Sequence, residues 1–284
     1  MKAEGLEQYS FDKPMKSAHA FSALRAIVRR EVVKFTHQYG RLFSALVRPA
    51  LWLVAFAAGF HNILGVSIIP PYRTYITYQE YMIPGLLGMV LLFNSMQSSL
   101  SLVYDREMGT MRLLLTAPLP RWYLLLCKLM GGAALSTLQG YAFLLVAWLF
   151  GAELPASGYW RVLPALIAAA LMLGAIGLLL SVYVRQLENF AGTMNFVIFP
   201  MFFISTALYP LWKVRESGAE YLYQIALVNP FTHAVELIRF AAYGQLNVQS
   251  LAVVVGMSIL CFLLSVIGYD PQRGLIRRRG GMEA

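Results

Sequence analysis

The residues best placed to do work lie in one charged interruption, Tyr104 to Trp122, YDREMGTMRLLLTAPLPRW, between the uncharged runs Met82 to Val103 and Leu129 to Phe150. Each run is long enough to cross a bilayer core as a helix, so residues 104–121 form a surface loop between two spans. Inside it, Met108 to Thr116 predict a short helix that starts near Gly109 and Thr110. Pro118 and Pro120 end it, because proline lacks an amide and disfavours helix at the residue before it. Arg106, Arg112, Arg121 and Lys128 put this loop on the cytoplasmic side by the positive-inside tendency. Its chemistry is electrostatic: Glu107 offers a carboxylate either to a basic partner surface or to a local pair with Arg106 or Arg112.

A second set of polar residues sits where lipid would be expected. Asn94, Gln97, Ser98 and Ser101 recur at helical spacing within the run Met82 to Val103. Such a stripe does not face lipid; it faces another helix, the partner subunit or a transport pathway, and interhelical hydrogen bonding is the favoured role. Chemistry of other kinds is not expected. No G-x-x-x-x-G-K-S/T, H-E-x-x-H, C-x-x-C or G-x-S-x-G occurs, so no catalytic site, no metal site and no bound cofactor is assigned to this chain. His19, His37, His61 and His233 are scattered, and Cys127 and Cys261 read as small buried hydrophobes in or beside spans.

Composition gives the frame for these residues. Of the 284 residues 58% are hydrophobic and 13% charged, with a mean hydropathy of +0.60, the profile of an all-α membrane protein that crosses the bilayer several times. The net charge of +9 is spread over segments flanking the apolar runs, which suits topology and anionic headgroups and not nucleic acid.

In chain order, residues 1–16 form a flexible cytoplasmic tail with no signal-peptide pattern, and 17–284 one membrane domain. Phe21, Leu24, Val28, Val32, Phe35 and Tyr39 place an amphipathic interface helix over 17–40, with Arg25, Arg29, Arg30 and Lys34 on its polar faces. The first span runs from about Leu42 to Leu64. Tyr72, Tyr75, Tyr78 and Tyr81 follow and read as an interfacial aromatic belt. After the second and third spans come Val162 to Val184, with the small pairs Ala165/Ala169 and Ala170/Gly174 as packing surfaces, and Phe190 to Leu208.

Residues 209–244 then break the pattern. Asn229 as N-cap with Pro230 at the first helical position starts a helix that Gly244 stops. It is too short and, with Glu236 and Arg239, too polar to span the core, so it predicts a re-entrant segment at the outer face. Glu236 and Arg239, three apart, can pair across one helical turn, a contact that alone contributes about a few tenths of a kcal/mol. The last span is Val248 to Gly268. Six spans with both termini cytoplasmic leave eighteen of the 23 Lys and Arg inside and five outside: Arg73, Arg161, Lys213, Arg215 and Arg239.

The run Arg106, Glu107, Gly109, Thr110, the leucines, Ala117, Pro118 and Lys128 resembles the cytoplasmic loop of the ABC type-2 exporter permeases. ISTALYPL followed by ALVNPFTHAVELIRFAAYG is similar to the outer re-entrant segment of the same family. The resemblance implies an inner-membrane transport subunit that is not itself an ATPase, works as a homodimer and docks its coupling loop on two copies of an ABC ATP-binding subunit. ATP and Mg would sit on that subunit, and the 17–40 helix would touch it or merely anchor the first span. Two other readings stay open, a transporter driven by an ion gradient and a membrane scaffold.

Overall fold

The computed structural model describes residues 22, 25, 26, 28–30, 33, 47, 49–55, 70–72, 76–107, 120–152, 154–184 and 186–269, without the side chains of Arg106 and Arg121. The 1–16 tail, Lys34, Gly109, Thr110, Arg112, Pro118, Tyr75, most of the first span and the arginine-rich terminus lie outside them. Residues 22, 25, 26, 28–30 and 33 are helical, as are 47 and 49–55. Eight further helices follow: α1 Tyr78–Glu107, α2 Arg121–Leu149, α3 Gly158–Tyr183, α4 Leu187–Phe203, α5 Leu211–Glu216, α6 Glu220–Val228, α7 Pro230–Ala242 and α8 Val248–Gly268. No strand occurs among the described residues.

Four of these helices are long and apolar enough to cross a membrane: α1, α2, α3 and α8. Helix α3 is the axis, packed by α1, α2, α7 and α8. Small residues let the others approach it. Ala165, Ala169, Ala170 and Gly174 are all buried, as their spacing implies. A Cβ on Gly177 would stand 2.6 Å from Ser99 Oγ, and one on Gly132 of α2 2.6 Å from Ser98 Oγ, so both contacts require glycine or a shift of the serine.

Two boundaries differ from the expectation. Helix α1 runs through Asp105 to Glu107 and α2 begins at Arg121, so both ends of the 104–121 segment are helical. Charge marks where a span leaves the hydrocarbon. It does not end a helix, and nothing between Tyr104 and Glu107 breaks one. The fifth apolar run is helical over only 17 residues, and an irregular turn occupies 204–209 where helix was expected to reach Leu208. Side chains from elsewhere compensate the backbone there.

Helix α1 enters at the end of the bundle where α7 packs and leaves at the opposite end, beside the start of α4. These are called below the Tyr78 end and the Glu107 end.

Candidate functional site

At the Tyr78 end the site grows from the turn after α4. Pro200 lies in the last turn of α4, and the turn leaves carbonyls at Ile204, Thr206 and Leu208 without helical partners. Each is claimed by a distant side chain. Asn229 Nδ2 donates to Met201 O at 2.8 Å and Ile204 O at 2.5 Å, while its Oδ1 caps α7 by accepting from Phe231 N. Tyr81 Oη donates to Thr206 O at 3.1 Å and Tyr78 Oη to Leu208 O at 2.7 Å. Arg239 Nη2 donates to Thr206 O at 2.7 Å. Gly85 in α1 lies so close under the Ala207 carbonyl that a Cβ there would force the turn away.

Arg239 is the centre of this cluster. Its side chain is 3% exposed, ion-paired with Glu236 one turn earlier, and its guanidinium carbon lies 4.2 Å from the Tyr81 ring centroid. The expected i,i+3 pair is present, but burial changes what it does. In a low-dielectric site a guanidinium needs its full set of partners, and a carboxylate, a carbonyl and a ring face surround this one. Tyr72 and Tyr243 close the cluster edge to face, 4.8 Å apart. Burial pushes the Tyr243 hydroxyl up to about 12 and raises the Tyr72 hydroxyl too, so both are neutral at physiological pH. Three buried polar atoms here, Arg239 Nε, Tyr72 Oη and Thr206 Oγ1, have no hydrogen-bond partner among the described residues.

The expected aromatic belt is therefore not one. Tyr72, Tyr78 and Tyr81 are 5%, 5% and 3% exposed: the Tyr78 and Tyr81 hydroxyls serve the turn, the Tyr81 ring serves the cation, and the Tyr72 ring packs on Tyr243.

At the Glu107 end a different set of charges meets. Asp105 is 4% exposed, and Lys128 Nζ lies 2.5 Å from its Oδ2. Arg30 Nη2 lies 3.5 Å from the same oxygen. Arg25 and Arg29 are exposed, so of the described basic residues in the 17–40 segment Arg30 is the one that turns inward. The sequence reading passed over Asp105, counting it as loop. Its signal was the lone acid one residue before Arg106, on the same helical face as Ser98, Ser101 and Leu102. Glu107 Oε1 accepts from Leu187 N at 2.9 Å, which places a carboxylate at the N-terminus of α4 where the helix dipole favours it. The structure thus gives Glu107 an intrachain partner that neither proposed role named.

Between the two ends, the polar stripe on α1 faces helices. Asn94 is buried, and Gln97, Ser98 and Ser101 are partly so. The deeper contacts come from the neighbouring Ser95 and Ser99: Ser95 Oγ stands 3.4 Å from Ser136 Oγ of α2. A small cavity of about 20 Å³ lies beside this serine ladder, lined by Ser95, Ser98 and Ser99 with Leu102, Lys128 and Leu129. Among the described residues no group of three His, Cys, Asp or Glu could hold a metal ion. Both cysteines are buried and free, as expected of small hydrophobes.

Comparison with known proteins places this arrangement in context. The family model described as ABC-2 type transporter matches residues 22–243. A transport permease named ycf38 from Porphyra purpurea is 28% identical over 234 residues, 81% of this chain and 77% of the relative. Another ycf38 from Cyanophora paradoxa is 28% identical over 227 residues, 76% and 73% of the two chains. The inner membrane transport permease YadH of Escherichia coli (strain K12) is 23% identical over 270 residues, 92% and 97% of the two.

Proposed function

The chain belongs to the ABC-2 type transporter family as a multi-pass membrane permease, and from that premise we propose that it couples ATP hydrolysis on a separate subunit to export across the cytoplasmic membrane. The observation that carries the coupling is the tie at the Glu107 end. Asp105 and Lys128 stand at the two stems of the 104–121 segment, and their ion pair joins those stems. Arg30 adds the interface helix and the Glu107–Leu187 bond adds α4. A push on the segment reaches four elements at once, the contact a lever needs if its two positions are to differ in free energy.

In this reading the Glu107 end is cytoplasmic and the Tyr78 end outer. Six spans cross the membrane: the helix containing residues 49–55, then α1, α2, α3, α4 and α8. The α5 to α7 stretch is re-entrant. At 17 residues α4 is at the short limit for a span, and the turn after it supplies the remaining depth. Glu107, Arg106, Gly109, Thr110, Arg112 and Pro118 contact the ATP-binding subunit, with Arg25, Arg29 and Lys34 beside them. ATP and Mg belong to that subunit.

Two permease copies and two ATP-binding subunits make the working unit. Helix α4 supports the second copy, since it turns Asn195 outward among Phe196, Phe199 and Pro200, and an amide in mid-helix is costly against lipid. The buried Asp105 does not favour an ion-gradient mechanism, because two cations already hold it at a span end.

The test is co-purification with the ATP-binding subunit encoded alongside, followed by ATPase and efflux assays of wild type, Glu107→Ala and Gly109→Pro. Complexes that form and hydrolyse ATP but lose efflux in the loop variants support the reading. Transport that persists on an ion gradient with no ATP-binding subunit overturns it.

A further inference from the structure

We propose that Arg239 is a positioning residue that holds the 204–208 turn shut against α1 and α7, making that turn and the α5–α6 hairpin behind it one releasable element at the Tyr78 end. The argument begins with what attaches the hairpin. Helices α5 and α6 pack chiefly on each other, and α6 also contacts α7. Tyr221, Ile225 and Val228 on α6 are exposed. Each helix buries one residue, Val214 on α5 and Ala226 on α6, so its packed face is narrow.

Its two roots are joined at one point, where Asn229 ties the end of α4 to the start of α7. Between them the turn is held by Tyr78 at Leu208 O and by Tyr81 and Arg239 at Thr206 O, and the end of α6 is tied to α7 where His233 Nε2 lies 2.9 Å from Leu227 O. Arg239 differs from the two tyrosines in kind. Its bond is charge-assisted, its charge is compensated on α7 by Glu236, and it stacks on the Tyr81 ring, so it fixes donor and acceptor elements together. It is the residue whose loss lets the turn leave without disturbing α7.

That this element opens the way for cargo rests on the exporter reading; that Arg239 holds the turn does not.

The test is thiol labelling in nanodiscs, where both faces are open and no ATP-binding subunit is needed. Cys127 and Cys261 are replaced by alanine, and a reporter cysteine is placed at Thr206, 2% exposed, or as a control at Ser136, 0% exposed in the bundle interior. With Arg239 present, both react slowly with a maleimide. In the Arg239→Gln and Glu236→Gln/Arg239→Gln backgrounds the Thr206→Cys reporter should react about ten- to a hundredfold faster, the shift expected for loss of one charge-assisted hydrogen bond. Ser136→Cys should stay protected. Arg239→Lys keeps the charge but not the fork, and should fall between.

If neither reporter accelerates, the turn is held by something else and the proposal is wrong. If both accelerate together, Arg239 supports the whole bundle and not the turn, which also overturns it. Selective labelling in a protein that exports nothing with any ATP-binding subunit would keep the pin and remove the exporter reading.

Discussion

The two ends of the bundle each bury charge, and they balance it differently. At the Tyr78 end one cation meets one anion from its own helix, and the surplus donors of Arg239 go to a backbone carbonyl and an aromatic face. The pair is neutral on its own element, so neighbouring elements contribute only dipoles. At the Glu107 end two cations converge on one carboxylate, and the three residues come from segments far apart in the chain. The shared carboxylate thus ties three separate segments of the chain. The first arrangement resists loss of a neighbour and reports only whether the turn is in place. The second fails if any of its three segments moves, which suits an end that must sense a lever.

The difference is sharpest on deletion of the shared anion. Asp105→Ala removes the carboxylate that Lys128, 8% exposed, shares with Arg30. Removing one partner of a buried pair costs about 3–5 kcal/mol. Thermal unfolding in detergent should show a global loss of that order, and Asp105→Ala/Lys128→Met should recover most of it. A loss under about 1 kcal/mol would mean that the Glu107 end, like the other, compensates its charges locally.

At the Tyr78 end Arg239→Lys should cost less, about 1–2 kcal/mol, because charge and part of the pairing survive while the fork to Thr206 O does not. Tyr78→Phe and Tyr81→Phe each remove one hydroxyl and keep the ring, for about 1 kcal/mol. If Tyr81→Phe alone matches Arg239→Lys, the tyrosine hydroxyl and not the guanidinium is the main hold on the turn.

How far each end was legible in the sequence follows from the same contrast. Asn229, Pro230, Glu236, Arg239 and Gly244 signal through local rules, a cap, a first-turn proline, an i,i+3 pair and a left-handed stop with Gly244 at φ +72°, so helix α7 was readable almost to its ends. What those residues reach for was not readable. Thr206 O and Leu208 O are backbone atoms of an apolar run, and nothing in ISTALYPL says that its helix stops at Phe203. The tyrosines were misjudged for the same reason, since a belt and a buried cluster share a composition. At the other end Asp105 was missed because a charge beside an apolar run was taken for the end of the helix. Its partners, at positions 30 and 128, are fixed only by tertiary packing.

The smallest stability effect should carry the most information. Arg30 is 36% exposed and 3.5 Å from Asp105, so screening limits its pair to below about 1 kcal/mol, and Arg30→Gln should unfold at nearly the wild-type temperature. Its exposed neighbours Arg25 and Arg29 are free to meet a partner subunit, whereas Arg30 is committed inward. Replacing Arg25 or Arg29 by glutamine should weaken binding of the ATP-binding subunit and, once that subunit is saturating, leave efflux per ATP unchanged. Replacing Arg30 should leave binding intact and lower efflux per ATP. Should Arg30→Gln behave like the other two, Asp105 serves only Lys128, and the interface helix docks the partner without taking part in the tie between the loop stems.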